Sequence, residues 1–425
     1  MSGSAPLAGI RVLELGEGWV GPWALTLLSD LGAEVIKVEA IQHMDMTRGP
    51  VAPPPGLPTY PGKEPGPRPW DSNLSFYVAN RNKLSLTLDL ARPRGRELFY
   101  GLVRISDVFA TNLVTGVPQK LGVDYESLRA VRPDIIVLAA SGFGARGPYA
   151  THVAMGGSMD AAAGHTWLRS YADLTPDTVS ASTHLDTVAS VSGALALLMA
   201  LYYRNETGQG QFIDLSGCEA FMPHIGEAIM DYTMNGIVRG PSGNRHPTQA
   251  PCGVYPCHGE DRWVAISISS DTEWERFCKA LGDPAWCRDE RFADVVGRRR
   301  HQDELDRLIA GWTRQHDHYE VMRILQGHGV PAAAVLDNRE VYEDPHFVSR
   351  GFFQPVVHPD LPPIPLPGVV WKMSETPGGI HRYPPRLGEH NALVLKEILG
   401  LTAAAYRELE AEQYIGDTPL PGLVV

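Results

Sequence analysis

Between residues 11 and 144, short apolar runs of strand length alternate with stretches of helical periodicity, and this alternation limits the fold more than any other feature of the chain. RVLEL (11–15) and EVIKV (34–38) flank an amphipathic stretch at 22–31 that stops at Gly32, a βαβ unit. LSLTLDL (84–90) precedes a helical segment at 93–103 that opens with Pro93; DVFATNL (107–113) and DIIVLAASGFG (134–144) follow as further strands. Strands joined through helices lie parallel, because a parallel neighbour needs a long crossover. The expected fold class is therefore α/β, a doubly wound Rossmann-like sheet with ligand sites at the carboxyl ends of its strands.

Elsewhere the pattern is less regular. Residues 49–70 hold nine prolines among glycines, which predicts an irregular surface loop. The apolar run at 188–203 is 16 residues long, short of the ~20 that a bilayer span needs, and reads as part of a buried helix over 186–204. A turn at 207–211 leads into FIDLS and a second helical stretch to about 234. Then 240–251 is loop-like, 263–269 a strand, 273–281 a short helix and 305–326 mostly helical, which marks 240–340 as a smaller α+β domain. The proline-rich 354–368 precedes a final helix over 391–413.

The charge balance of 37 basic against 49 acidic side chains, −12 net, repels a polyanion and excludes nucleic acid as the expected partner. The first residues lack the basic and apolar regions of a signal peptide, so a cytoplasmic location and no membrane are expected. Five cysteines, an odd number in a chain of 425 residues, argue for reduced thiols. Cys252 and Cys257 lie near His258, but without a second pair they do not make a zinc motif, and no metal is expected.

Gly16-Glu17-Gly18-Trp19-Val20-Gly21 fits the G-x-G-x-x-G dinucleotide fingerprint, with Glu39 where a ribose-binding acid would stand. The details fit poorly. Trp19 and Val20 are bulky, Glu17 brings negative charge to a pyrophosphate site, and Pro22 lacks the N–H an anion would use. The glycines are read as permitting a tight strand-to-helix turn, and an NAD-dependent oxidoreductase is kept as a rival.

LAGIRVLELGEGWVGPWALTLLSDLGAEVIKVEA, DMTRG (45–49), NRNKLSLTLDL (80–90), DVFATNLVTGVPQKLG (107–122), YRNETGQGQFIDLS (203–216), GVPAAAV (329–335) and RLGEH (386–390) together resemble the class III CoA-transferase family. That family includes formyl-CoA, carnitine and benzylsuccinate CoA-transferases and α-methylacyl-CoA racemase; GNRHPTQAPCGVYPC looks most like the benzylsuccinate branch. The resemblance implies a large domain built from both chain ends, a small domain from the middle, and two chains interlocked as rings. It divides the chain into 1–215 (large CoA-binding domain), 216–240 (linker helix), 241–340 (small domain) and 341–425 (return to the large domain).

The implied reaction moves CoA from an acyl-CoA, with succinyl-CoA the donor suggested by the nearest branch, to a carboxylic acid. A carboxylate suffices for this, since its attack on a thioester gives an anhydride that the released thiolate reopens. The family's nucleophile position falls on Asp186, at the start of the long helix. Without the resemblance, an Asp there would be read as a helix-end residue, its carboxylate favoured by the helix dipole, which is also expected to lower its pKa.

CoA contacts carried over by position are Trp19, Val20, Asn80, Arg81, Asn82, Lys83, Asn112, Leu113, Val114, Lys120, Ser141, Gly142, Phe143 and Gly144. Lys83 and Lys120 would meet phosphate. The chain departs from formyl-CoA transferase at Ala40 (an Arg there), at Ser141 (a Lys) and in lacking its run of glycines, with Gly240 and Gly243 the nearest. Trp19, Phe143 and Tyr149 could line an apolar acceptor pocket. A racemase needs two acid/base groups facing opposite sides of the α-carbon; in the family's racemases one is the His of a Gly-His-Asp motif, and His152 here stands outside any such motif, which favours the transferase. The implied partners are the acyl-CoA, the acid and a second copy of the chain or a homologous subunit. A catalytically silent CoA-binding subunit is a further alternative.

Overall fold

A computed structural model of the chain describes residues 5–180, 182, 184–421 and 423. Its first part alternates as the sequence does: β1 (Arg11–Leu15), α1 (Val20–Asp30), β2 (Glu34–Glu39), α2 (Leu74–Asn80), β3 (Leu84–Thr87), α3 (Pro93–Arg104) and β4 (Val108–Thr111). There follow α4 (Val117–Leu121), α5 (Tyr125–Val131), β5 (Ile136–Ser141), α6 (Gly156–Ala162), α7 (His165–Leu168), α8 (His184–Thr207), β6 (Phe212–Ser216) and α9 (Gly217–Phe221). The six strands form one sheet in the order β3-β2-β1-β4-β5-β6, every neighbouring pair parallel. The order reverses between β1 and β4, and in such sheets the crevice outside that reversal is where ligands bind.

Helices cover both faces, so the inner strands are apolar on both sides. On one face Val12, Val35 and Leu138 meet Leu25 and Leu28 of α1 and Leu197 of α8. On the other, Leu86 and Phe109 meet Phe99 of α3 together with Val394, Leu395, Leu409 and Ile415 from the end of the chain. Gly193 lets α8 come close to α1, a Cβ there standing 3.6 Å from that of Ala24.

The chain divides into two compact units, Met1–Gly164 with Ala181–Ile229 and Val348–Val425, and His165–Ser180 with Met230–Phe347. The sequence division kept 165–180 with the first segment. The second unit carries an antiparallel sheet of β7 (Cys252–Pro256), β8 (Trp263–Ser267) and β9 (Ala332–Val335). Helices Asp271–Ala280, Gln302–Thr313 and His318–Gly327 belong to it; Trp274, Phe277, Leu305, Ile309 and Val321 fill its core.

Three expectations change. The proline-rich 354–368 forms a hairpin, β10 (Phe353–His358) with β11 (Leu361–Pro367); a two-stranded ribbon has outer edges where proline's missing N–H costs nothing. The final helix over 391–413 is instead a π-helical Leu393–Ile398 and a separate α-helix Ala403–Ala411, broken at Gly400, whose φ is +78°. Helix α8 is only half buried. Leu185, Ala189 and Leu197 face inward while Val191, Leu195, Met199 and Tyr202 are exposed, so it is a core helix with an uncovered apolar stripe. By length and composition alone it could cross a membrane.

Candidate active site

The turn from β1 into α1 is held from β4. Asn112 accepts the Glu17 N–H through Oδ1 at 2.9 Å and donates Nδ2 to the Glu17 carbonyl at 2.7 Å. Glycine is needed for this clasp: a Cβ on Gly16 would lie 2.9 Å from Asn112 Oδ1, and one on Gly21 3.2 Å from its Cγ. The glycine spacing thus serves a tight turn. Glu39 is no free ribose acceptor, because Arg48 grips both its oxygens at 2.7 and 2.8 Å.

Beneath the turn lies a fully buried charge network. Lys37 reaches Glu14 at 2.9 Å, Asp45 at 2.8 Å and the Gly16 carbonyl at 2.8 Å. Lys83 reaches Glu14 at 2.7 Å, the Pro22 carbonyl at 2.8 Å and Asn80 Oδ1 at 3.0 Å. Burial pulls the Lys83 ammonium down to about 8 against the attraction of Glu14. Its neighbours are also structural: Arg81 forks onto Asp30 at 2.9 and 2.6 Å, and Asn82 bonds Asp30 and the backbone of Gly379, His381 and Arg382. Asn80, Arg81 and Lys83 are 0, 1 and 0% exposed. The tetrad therefore locks α1, α2 and the C-terminal segment together, and its lysine offers no exposed cation for phosphate.

The other expected contacts lie along the carboxyl edge of the sheet. Trp19 is half-buried with its ring 6.2 Å from Trp23, and Val20 is buried at the head of α1. Asn112, Leu113 and Val114 follow β4, and Lys120 is exposed on α4. A cavity of about 290 Å³ opens past the ends of β1 to β4, lined by apolar Leu15, Val38, Leu90, Leu113, Val117 and Leu121. Ala40, where formyl-CoA transferase has an Arg, also lines it, as do His43 and Asp89; the sequence reading did not group the last two with the site, because they come to it only when the strands end side by side.

Ser141 to Gly144 lead from β5 toward the candidate nucleophile. Gly142 is pressed against Ala154 and Met159, where a Cβ would lie 2.5 Å from the former, and its carbonyl accepts the Cys218 N–H at 3.0 Å. Phe143 packs edge-on to Tyr149 at 5.6 Å, and Tyr149 stacks on His152 at 4.8 Å. Asp186 stands in the first turn of α8, 7% exposed, opposite the start of α6. Gly156 leaves its carboxylate room, since a Cβ there would sit 2.5 Å from Oδ2. The expected lowering of its pKa is corrected by the structure. Burial first, and then the charge of buried Asp160, push Asp186 up to about 6. It is still mostly ionised at neutral pH, and more basic than an ordinary carboxylate.

Residues 7–391 match the model of CoA-transferase family III. The chain belongs to this family. As a CoA-transferase it moves CoA between an acyl-CoA and a carboxylic acid. It is 35% identical over 416 residues to succinyl-CoA–D-citramalate CoA-transferase of Chloroflexus aurantiacus, covering 96% of this chain and 98% of that one. It is 32% identical to succinate–glutarate CoA-transferase of Agrobacterium fabrum, covering 92% and 96%. A CAIB/BAIF family protein from Brucella suis has the same fold, with a TM-score of 0.81 at 29% identity over 93% of this chain and all of that one. In this CoA-transferase the turn at 16–21, the cavity and Asp186 all lie beyond the carboxyl ends of the sheet strands, in the first unit.

Proposed function

We propose that this CoA-transferase works through Asp186 as a covalent nucleophile, with succinyl-CoA as donor and a small di- or hydroxy-carboxylic acid as acceptor. A carboxylate oxygen attacks the thioester carbonyl, the C–S bond breaks, and a mixed anhydride forms as CoA thiolate leaves. The thiolate attacks the aspartyl carbonyl and expels the donor acid, leaving an aspartyl-CoA thioester. The acceptor carboxylate repeats the first attack on this thioester, and the thiolate then takes the new acyl group and frees Asp186. No net proton moves, so the nucleophile needs only to be ionised and reachable.

The observation that carries this reading is the Asp186 carboxylate, close to buried in the first turn of α8 and facing Gly156, which has no side chain to cover it. Its raised pKa strengthens the oxygen as a nucleophile. CoA contacts are assigned to Trp19, Val20, Asn112, Leu113, Val114, Lys120 and the Ser141 to Gly144 loop, with the nucleotide end in the 290 Å³ cavity. Lys83 is left out of that set because its ammonium is enclosed by Glu14, Asn80 and Pro22. The donor and the acid class follow the names of the Chloroflexus and Agrobacterium relatives. The working form is an interlocked homodimer in the cytoplasm, with the exposed stripe of α8 covered by the second copy.

The purified protein, given succinyl-CoA and in turn citramalate, malate, glutarate and mesaconate, is expected to yield a new thioester of matching mass with at least one acid. Kinetics should be ping-pong, parallel lines in double-reciprocal plots. Failure of every acid with succinyl-CoA, alongside turnover with acetyl-CoA, would remove the proposed donor.

A further inference from the structure

The cavity beyond β1 to β4 has a charged mouth. Four carboxylates line it: Glu17, Glu39, Asp45 and Asp89. Three are neutralised from within the fold, Glu39 by Arg48 at 2.7 Å, Asp45 by Lys37 at 2.8 Å and Asp89 by Arg92 at 2.9 Å. Glu17 is different. Among the described residues its carboxylate pairs with His43 alone, at 2.5 Å. The clasp from Asn112 fixes the Glu17 backbone, and paired bonds between Ala40 and His43, 3.0 Å each way, fix that of His43. Both side chains therefore stand at the rim by construction, Glu17 26% and His43 73% exposed. The helix on the far wall, α4, contributes only apolar Val117 and Leu121.

We propose that His43 is a binding residue for the phosphate-bearing end of the CoA substrate, acting by cancelling the negative charge of Glu17 at the mouth of the cavity. This rests on the reading that the cavity receives the nucleotide end of CoA. An uncompensated carboxylate at that rim repels phosphate; an imidazolium paired with it removes the repulsion and offers a second N–H to the anion. Glu17, with help from Asp45 and Glu39, holds His43 above the usual histidine range. The sign follows. CoA binds more tightly where His43 is protonated, and affinity falls as pH rises through the folded-state value.

The test is calorimetric titration of the full-length protein with CoA at about pH 6 and about pH 8.5, for wild type, H43Q, E17Q and E17Q/H43Q. Wild type is expected to lose roughly three- to tenfold in affinity between the two values. H43Q should bind as weakly at the lower pH as wild type does at the higher. E17Q should bind well at both, and E17Q/H43Q should recover the affinity that H43Q loses, a rescue that a merely structural histidine would not show. The inference is overturned if H43Q matches wild type at the lower pH, or if removing Glu17 gives no rescue, in which case CoA binding itself still stands. No CoA binding by wild type at either pH overturns the underlying site assignment as well.

Discussion

Replacing Asp186 by asparagine separates two roles that a first-turn carboxylate can play. A helix-end carboxylate that only stabilises its helix would cost about 0.5–2 kcal/mol when removed. A nucleophile held in a poor environment behaves the other way. Burial and the nearby Asp160 charge push Asp186 up to about 6, above the ordinary aspartate value, so at neutral pH the fold holds an ionised group it disfavours, and that penalty fades as pH falls toward 4. D186N is therefore expected to be more stable than wild type at pH 7, by about 1–3 kcal/mol in denaturant titration, with the gain vanishing near pH 4, while turnover is lost. In wild type, kcat should fall about tenfold per unit below pH 6 as the carboxylate protonates, and D160N should move that limb to lower pH by removing a like charge. At this scale the sequence named the residue through resemblance and mistook its environment. Asp160 lies on another helix, and nothing in the local string around Asp186 announces it.

Glycine spacing was visible along the chain, but its purpose became clear only with the elements in place. Gly156 opens α6 against Asp186, and an alanine there would put a Cβ 2.5 Å from Oδ2. G156A should lower kcat by roughly 10–100-fold through misplacement of the carboxylate, with stability within about 1 kcal/mol of wild type. Asn112→Ala frees the 16–21 turn by removing both bonds to Glu17, and is expected to raise KM for the acyl-CoA more than it lowers kcat. Strand and helix periods made the βαβ units legible. The β10–β11 hairpin was not, because proline content masks strand character, and the burial of Asn80, Arg81 and Lys83 was not either, because the partners that enclose them, such as Asp30 and Glu14, are distant in sequence.

Across the whole molecule, the doubly wound parallel sheet was readable from alternation, since parallel strands require crossovers. The contribution of the chain's end to the second face, through Val394, Leu395 and Leu409, was not readable that way; it came as an implication of the family resemblance. The exposed apolar face of α8 belongs to this scale too. Val191, Leu195 and Met199 are each more than half exposed, and L195E should weaken the proposed dimer, read as a lower mass by light scattering, with less effect on a monomer's far-UV spectrum. The central claim, that the acyl group and then CoA pass through one side chain, has a direct measurement. Protein incubated with succinyl-CoA is quenched with borohydride, digested and mapped by mass spectrometry. Reduction of an aspartyl-CoA thioester converts that aspartate to homoserine, and the account predicts homoserine at position 186 and its absence in protein given free CoA. An unmodified Asp186 in enzyme that is turning over, or homoserine at another carboxylate, would contradict it.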